Sequence, residues 1–403
     1  MTLAPSLSRH LRARGQGVAQ PVTTVELFFD LVYVFAITQL TQLILHDLTI
    51  GAVARATFLL LVVWWAWICT TWMANWFDPD SPAVATLLTG VMLASLLMAA
   101  AIPRALGTDG VLFAGTFVTL QVGRSAAAAY LLRKDHPLHD VFHRVAAWSV
   151  LGGVLWLAGS ALDGDKRLLL WAPALLVEFC APVAGYWLPG RGRAATTDWD
   201  IEGGHFTERC EAFIIIALGE SIVLTGATAA HVGLSATVSL SLSVAFLETA
   251  ALWWLYFGTA TERTRDAMRT CADPGRLARD AYTYLHVPIV GSVIAVAVGD
   301  DLLIAGPNDA AHGVGLAVVL GGPVLFLLGE SLFRMRVIGD PANAKRLAVA
   351  ALLLLFIPVG AGVSALALSA TVAALLIALA LWELAPTARR TWKCQSQQEG
   401  VSS

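Results

Sequence analysis

Residues 25–40 read VELFFDLVYVFAITQL, an apolar run that two acids interrupt near its start. The acids are Glu26 and Asp30, and a spacing of four places both on one face of a helix. Lipid penalises such groups unless they face protein or water. The run therefore predicts a membrane-spanning helix with an acidic face turned toward a sheltered interior.

A second run, residues 207–221, has the same plan: TERCEAFIIIALGES. When Asp30 is aligned with Glu211, Gln39 falls on Glu220, nine residues deeper in both runs. Nine residues correspond to about 13 Å of helix rise, which places Glu220 near the middle of a bilayer. The two runs predict related helices in two halves of one bundle.

The composition is that of a membrane protein. The 403 residues are 57% hydrophobic and 14% charged, with a mean hydropathy of +0.69, whereas soluble domains are about 25% charged. The net charge of -3 indicates no particular partner, and no basic patch indicates nucleic-acid binding. The five cysteines show no CxxC spacing and are interpreted as small hydrophobic residues rather than disulfide or metal ligands.

Apolar runs of about 20 residues recur along the chain, and they predict an all-α polytopic membrane protein with about twelve transmembrane helices. The predicted spans are 22–45, 53–76, 82–102, 109–132, 141–162, 167–189, 206–226, 235–258, 281–304, 311–333, 344–366 and 368–386. The predicted organisation is an N-terminal tail 1–21, a first half 22–189, a polar connector 190–205, a second half 206–386 and a C-terminal tail 387–403.

Lys and Arg collect on alternate connections, as the positive-inside rule requires of cytoplasmic loops. This alternation predicts a multi-pass protein of the inner (plasma) membrane, with both termini, the connector and both tails in the cytoplasm. The N-terminal tail lacks the compact apolar core of a signal peptide.

The halves are predicted to be parallel six-helix repeats, related by an axis along the membrane normal. Three matches in the same order, besides that of the two acidic runs, support this prediction. They are Trp64-Trp65-Ala66-Trp67 with Trp253-Trp254-Leu255-Tyr256, Gly123-Arg124-Ser125 with Gly329-Glu330-Ser331, and Glu178-Phe179-Cys180-Ala181-Pro182 with Glu383-Leu384-Ala385-Pro386.

Several of these blocks resemble the bacterial low temperature requirement protein A family of multi-pass membrane proteins. The resemblance covers nearly all of residues 22–386. It rests on Glu26-Leu27-Phe28-Phe29-Asp30-Leu31-Val32, the tryptophan cluster before Asp78-Pro79-Asp80, His205-Phe206-Thr207-Glu208-Arg209, Leu218-Gly219-Glu220-Ser221, and Trp253-Trp254-Leu255-Tyr256-Phe257. The resemblance implies a fold and a membrane location but no particular activity.

Ten ionisable residues are candidates for a substrate or ion pathway: Asp30, Glu211, Glu220, Arg124, Glu330, Glu26, Glu208, Arg209, Glu178 and His286. The four acids at the starts of the two acidic helices form either two cytoplasmic mouths that attract cations or a set of partners for helix dipoles and Arg209. Glu220 is either a proton- or cation-binding group or a structural carboxyl.

Arg124 and Glu330 occupy equivalent repeat positions with opposite charges. An unpaired charge in lipid costs at least about 2.5–3.5 kcal/mol, so we predict that Arg124 pairs with Glu330, Glu220 or Glu178, as a brace or as a gate. His286 is either a titratable ring or a hydrogen-bonded structural residue. Glu248 is a further acid within a span, and Asp300-Asp301 is predicted to be a solvated turn.

Three functions stay open. The leading one is a secondary transporter or an ion- or proton-coupled channel, because a repeat encloses ionisable groups at membrane depth. The second is an intramembrane enzyme that acts on a lipid or isoprenoid through buried carboxyls, with an apolar chamber open sideways to lipid. The third is a structural or stress-adaptation protein whose buried charges only brace the bundle.

The sequence contains no P-loop, HExxH or Gly-x-Ser-x-Gly motif, so an ATP-driven pump is not predicted and no catalytic residues can be assigned. We expect no cofactor and no metal. The expected partners are the lipid bilayer and a small ion, a proton or a small-molecule substrate, with no nucleic acid. The oligomeric state is left open.

Overall fold

The computed structural model describes residues 10–12, 20–132, 134, 136–258, 261–339 and 344–399, with the backbone alone in 385–399. Its α-helices are α1 (Thr24–His46), α2 (Ile50–Trp76), α3 (Pro82–Ala101), α4 (Gly110–Val118), α5 (Arg124–Leu131), α6 (Pro137–Ser160), α7 (Leu168–Cys180), α8 (Gly203–Val232), α9 (Ala236–Phe257), α10 (Thr261–Thr270), α11 (Pro274–Leu277), α12 (His286–Ala305), α13 (Gly313–Ile338), α14 (Ala344–Leu355), α15 (Ile357–Gly360) and α16 (Ala365–Glu399). π-Helical turns Thr119–Gly123 and Ala278–Tyr284 join α4 to α5 and precede α12.

Ten helical segments within the described residues are long and apolar enough to cross a membrane. The predicted count of twelve is not confirmed by this number and stays a prediction. The two predicted spans without a full-length helix are 167–189 and 344–366, where α7 has 13 residues and α14 has 12. α7 runs through Pro173 and ends at Cys180, two residues before Pro182, and α14 ends at Leu355, three residues before Pro358. A proline just beyond a helix end cannot continue the helix.

The segment around α7 nevertheless runs back along the whole of α6. Near the end of α6, the Trp171 ring nitrogen donates to the Trp156 carbonyl at 2.9 Å. Near its start, Arg144 donates to the carbonyl oxygens of Gly192 and Arg191 at 2.7 and 2.9 Å. Residues 164–192 are therefore antiparallel to α6 from end to end, although less than half of them are α-helical.

By contact, the chain forms two compact units. Unit 1 comprises Met1–His46, Gly51–Ile216 and Met268–Thr283, and unit 2 comprises Asp47–Ile50, Ala217–Ala267 and Tyr284–Ser403. The predicted halves 22–189 and 206–386 and their relation as repeats stay predictions.

The interior of unit 1 is aromatic. Trp64, Trp65 and Trp67 on α2 are all buried, and the rings of Trp64 and Trp67 both contact Phe213 on α8. At the other end of the unit, Trp156 packs against Trp171. Large, rigid rings of this kind bury much apolar area at low entropic cost, so they fix the neighbouring polar side chains in place.

In unit 2, α12 packs against α13, α9 and α16. The approach of α12 to α13 depends on a small residue, because a Cβ atom at Gly322 would lie 2.9 Å from a Val296 methyl carbon and 3.1 Å from the Val296 backbone nitrogen. Small residues at such contacts let helix backbones come close. The tryptophan pair of this unit, Trp253 and Trp254, is exposed, unlike Trp64 and Trp65 in unit 1.

Candidate functional site

The first acid of the opening motif caps its own helix. Glu26 accepts hydrogen bonds from the Thr23 backbone nitrogen and hydroxyl, both at 2.9 Å, and its own N–H donates to the Thr23 hydroxyl at 3.4 Å. This reciprocal arrangement is a capping box. The other Glu26 oxygen accepts a hydrogen bond from Arg12 at 2.8 Å and lies 2.9 Å from a ring nitrogen of His205. The other ring nitrogen of His205 lies 3.1 Å from the Asn75 amide nitrogen.

The second acid of the motif forms a sealed ion pair. Both guanidinium Nη atoms of Arg209 donate to the carboxylate of Asp30 at 2.7 Å, and the Trp67 ring nitrogen donates to the same carboxylate at 2.8 Å. Both charged side chains are 0% exposed. The Arg209 guanidinium also lies 5.8 Å from the ring centres of Phe29 and Trp67, within the range of a cation–π contact.

Asp30 is therefore a partner of Arg209 in unit 1, and the pathway roles predicted for these acids stay predictions. Glu26 and Asp30 are both buried and both hold basic partners within unit 1. Glu211 is buried and Glu208 half-buried on the same helix as Arg209, and Glu220 is buried farther along it, in unit 2.

A chain of polar side chains crosses the middle of unit 1. Arg124 donates to the side-chain oxygen of Gln121 at 2.7 Å and to the Thr70 hydroxyl at 3.1 Å. The amide nitrogen of Gln121 donates to Glu178 at 3.2 Å, and the Trp65 ring nitrogen donates to the same Glu178 oxygen at 3.0 Å. The second Glu178 oxygen is buried and has no hydrogen-bond partner among the residues that the structure describes.

This series of hydrogen-bonded side chains corrects the predicted ion pairs of Arg124. Its hydrogen bonds, to Gln121, Thr70 and the Ala66 carbonyl, include no acid among the described residues. Gln121 lies between Arg124 and Glu178 and forms a hydrogen bond with each, so the two side chains are linked through a neutral amide. The predicted partner Glu330 forms its ion pairs with other residues, in unit 2.

Beside Arg124, a cavity of ≈ 50 Å³ opens into unit 1. A water molecule needs about 10–15 Å³ of such volume, so the cavity holds about three to five waters or a small ion. It runs between α2, α5 and α6, and the residues that line it include two arginines and no acid: Trp65, Ile68, Cys69, Trp72, Met73, Trp76, Arg124, Ser125, Val141, Phe142, Val145, Pro182, Tyr186, Trp199, Arg279 and Thr283.

The depth of the cavity follows from its lining. Trp76 is the last residue of α2 and Trp65 lies eleven residues before it, which corresponds to about 16 Å along the helix. The hydrocarbon core of a bilayer is about 30 Å thick. The cavity therefore reaches roughly the middle of the span from one end of unit 1.

In unit 2, Glu330 belongs to a neutral cluster of two acids and two arginines. Arg334 donates to Glu330 at 2.5 Å, and Arg346 also forms an ion pair with Glu330. Arg346 binds both oxygens of Glu383 at 2.8 Å. Both arginines donate to the carbonyl oxygen of Leu255, at 2.7 and 2.8 Å. The charges of this cluster cancel within the unit, as those of a brace would.

His286 has the structural surroundings of a hydrogen-bonded core histidine. It is fully buried, its Nε2 atom lies 2.8 Å from the Tyr256 hydroxyl, and its ring meets Phe333 with centroids 4.7 Å apart. The predicted solvated turn at Asp300-Asp301 is wrong, because both residues lie within α12 and Asp300 is buried. Among the described residues, no group of three or more His, Cys, Asp or Glu side chains is arranged to hold a metal ion.

The sequence analysis missed Arg12, Gln121, His205 and Arg346 as members of these clusters. Two signals were available: Thr23 and Glu26 have capping-box spacing, and Arg124 lies three residues after Gln121 on one helix face. Nothing in the sequence indicated Arg346, whose partners lie 16 and 37 residues away.

Comparison with known proteins places the chain in a family. Residues 21–381 match the family model described as bacterial low temperature requirement A protein (LtrA). The uncharacterized protein RA0937 of Rhizobium meliloti (strain 1021) is 37% identical over 306 residues, which cover 75% of each chain. No solved structure matches. With most of its length matched by the family model and many apolar helices, the chain is a multi-pass membrane protein that belongs to the bacterial low temperature requirement A (LtrA) family.

Proposed function

We propose that this protein is a secondary transporter or channel for a small ion, and that the ion binds in the cavity beside Arg124. The observation that carries the proposal is the state of Arg124. Its guanidinium is buried in the cavity wall, yet the residues that it binds are neutral. A buried charge without a counter-charge is costly, and an ion in the cavity would remove that cost.

The sign of the charge favours an anion. Arg124 and Arg279 line the cavity, and none of the lining residues is acidic. Arg279 is paired with Asp280 at 2.8 Å. The acid whose charge acts on Arg124 is Glu178, which lies beyond Gln121 and does not line the cavity. Arg124 therefore supplies a positive charge that faces the cavity without a directly bound acid. Arginine in a pore wall selects for anions in other membrane proteins. Glu178, joined to Arg124 through Gln121, provides an intramembrane carboxylate next to the pathway.

The other pathway candidates fit this proposal less well. Asp30, Glu26 and Glu330 each hold basic partners, and such pairs support a bracing role. The depth of the cavity favours transport over a protein that only braces the membrane, since bracing needs no cavity with a charged side chain in its wall at mid-membrane.

The enzyme alternative calls for an apolar chamber with an acid. An open groove of ≈ 500 Å³ does lie in unit 2 between α8 and α9, lined by Ile222, Thr225, Gly226, Leu242, Ser243, Phe246, Leu247 and Thr249. Its lining has no acid, base or nucleophilic cysteine. The groove therefore gives little support to acid–base chemistry on a lipid.

Flux through liposomes tests the proposal. The full-length protein, reconstituted in vesicles loaded with potassium chloride or potassium nitrate, should release the anion when valinomycin clamps the potential. Arg124→Gln should reduce the flux by about tenfold or more, equivalent to about 1.4 kcal/mol in the barrier. Arg124→Lys should retain part of the flux, because it keeps the charge.

Arg167→Gln is the matched control. Arg167 is as buried as Arg124 and also binds neutral groups, namely the carbonyl oxygens of Ala105, Gly107 and Ser160. It does not line the cavity. An anion flux that Arg124→Gln leaves unchanged, or that Arg167→Gln reduces equally in correctly folded protein, would refute the assignment.

We also propose the orientation that the basic loops predict, with both termini in the cytoplasm of a bacterial cell and the protein in its inner membrane. Alkaline phosphatase fused after residue 384 should be inactive, and green fluorescent protein at the same place should fluoresce. The opposite pattern would reverse the side from which the cavity beside Arg124 opens.

A further inference from the structure

Two acids in unit 2 are buried within their helices, Glu248 nine residues before the end of α9 and Asp300 five residues before the end of α12. Glu248 lies twelve residues into α9 and Asp300 fourteen residues into α12, and their exposed fractions are 3% and 2%. Twelve residues correspond to about 18 Å of helix, so Glu248 is well inside a bilayer core of about 30 Å.

The packing of α9 on α12 brings the two acids to one level. Val244, Ala245, Leu303 and Ile304 belong to one apolar cluster. Glu248 follows Val244 by one helical turn, and Asp300 precedes Ile304 by one turn. Because successive spans run in opposite directions, both steps lead the same way from the cluster. The charge of Glu248 acts on Asp300, as this placement requires.

The surroundings of the pair contain hydroxyl groups but no base. The Ser221 hydroxyl lies 3.5 Å from Asp300, and the Thr228 hydroxyl donates to the neighbouring Asp301. Glu248 has no hydrogen bond or ion pair with any described residue, although it is almost fully buried. The charges that act on Asp300 are those of Glu248 and Asp301, both acidic.

The charged and titratable groups on the elements packed around the pair support this reading. On α12 and on those parts of α8, α9, α13 and α16 that belong to unit 2, which are α8 from Ala217 on and α16 up to residue 384, they are Glu220, His231, Glu248, Tyr256, His286, Asp300, Asp301, Glu330, Arg334, Arg336 and Glu383. Where α13 meets this turn of α12, it presents Val319 to Gly299. Glu330 is eleven residues farther on, about 16 Å, and Arg334 and Arg336 are farther still.

Two ionised carboxylates cannot share this site without a cation. Burial of a charge is unfavourable unless it is paired, and two like charges close together make it worse. A carboxyl that takes up a proton loses its charge and needs only a hydrogen-bond acceptor. Acids that lie inside a membrane with this pattern are typical of proton relays.

We propose that Glu248 and Asp300 form a proton-binding site in unit 2, with the half-buried Asp301 and Thr228 as its entrance. A proton from water binds to a carboxylate oxygen of the pair and forms an O–H bond. Its release to water breaks that bond and restores the carboxylate. The site is separate from the cavity beside Arg124, and its existence does not depend on the anion proposal.

Infrared difference spectroscopy on the purified full-length protein in lipid tests the site directly. The wild type should show a carbonyl-stretch band of a protonated carboxylic acid at neutral pH, which shifts in D₂O and disappears as the pH is raised. The double variant Glu248→Gln/Asp300→Asn should lose this band. The amides have the shape of protonated acids, so the double variant is expected to fold. The single variant Asp300→Asn provides a second measurement of the band.

Asp165→Asn is the control, since it changes an exposed acid outside the site and should keep the band. Addition of sodium chloride at fixed pH should leave the band unchanged. A band that persists in the double variant would overturn the proposal, and so would its absence from the wild type at neutral pH. Displacement of the band by sodium would overturn it in favour of a cation site.

Discussion

Replacement of Asp30 by Asn tests whether the buried ion pair stabilises unit 1. Asn keeps the shape of Asp and can still accept the hydrogen bond of Trp67, but the charge of Arg209 is left without its counter-charge. Removal of one partner from a fully buried pair costs about 3–5 kcal/mol. Whole domains are stable by about 5–15 kcal/mol, so the variant should lose a large part of the stability of the unit.

The chain offers a control with the same chemistry at the surface. Arg55 donates two hydrogen bonds to Asp165, at 3.1 and 2.9 Å, but the two side chains are 42% and 58% exposed. Exposed pairs contribute about 0–1 kcal/mol. Asp165→Asn should therefore change stability by no more than that.

The assay is the free energy of unfolding of the purified proteins in mixed micelles, followed by tryptophan fluorescence as a denaturing detergent is added. The double variant Asp30→Asn/Arg209→Gln should be more stable than Asp30→Asn, because no isolated charge stays buried. If Asp30→Asn lost no more stability than Asp165→Asn, the assigned role of the pair would be wrong.

Three further changes probe the packing around these sites. Trp67→Phe removes a hydrogen bond to the Asp30 carboxylate and should cost about 1.5–3 kcal/mol in unfolding free energy. Gly159→Ala would place a Cβ atom 2.5 Å from a ring carbon of Trp171 and should cost about 1–3 kcal/mol by overpacking. Arg346→Gln leaves the two glutamates that Arg346 binds with one arginine between them, and it should cost about 3–5 kcal/mol in unfolding free energy. The loss of stability in all three variants is measured by the same detergent titration.

Each of these three changes has a control that alters the same residue type in open surroundings. Trp253 is exposed, so Trp253→Phe should be nearly neutral. A Cβ atom at Gly90 has no atom within 4 Å, and Gly90→Ala should be neutral or slightly stabilising because Ala favours the helix. Arg104 forms an exposed ion pair with Asp109, so Arg104→Gln should cost at most about 1 kcal/mol. A control that lost as much stability as its test variant would show that the stated contact is not the cause.

Hydropathy alone predicted the class of fold, because lipid dictates long apolar helices whatever the tertiary structure. It did not predict that the helices α7 and α14 are short, since a proline in an apolar run is compatible with either a kinked span or a broken one. The partners of the buried charged side chains were harder to predict. The Arg124 hypothesis required a charged partner, and the protein supplies the amide of Gln121 instead, a solution that a count of charges does not reveal.

The acids differ in how far local sequence constrained them. Glu26 caps its own helix, so its role was readable from four consecutive residues. Asp300 was predicted to lie in a solvated turn, and only the packing of α9 on α12 explains why it is buried. Groups that are positioned by another helix cannot be assigned from the spacing on their own helix.

The bond between Asp30 and Arg209 joins residues that are 179 positions apart in the chain, and this distance matters while the protein is being made. At about 5–20 residues per second, the ribosome adds Arg209 roughly 9–36 seconds after Asp30. Trp67, 37 residues after Asp30, arrives in roughly 2–7 seconds. During the interval the first helix carries an acid without its arginine, so the insertion machinery must hold that helix near water or leave its carboxyl protonated until the eighth helix emerges.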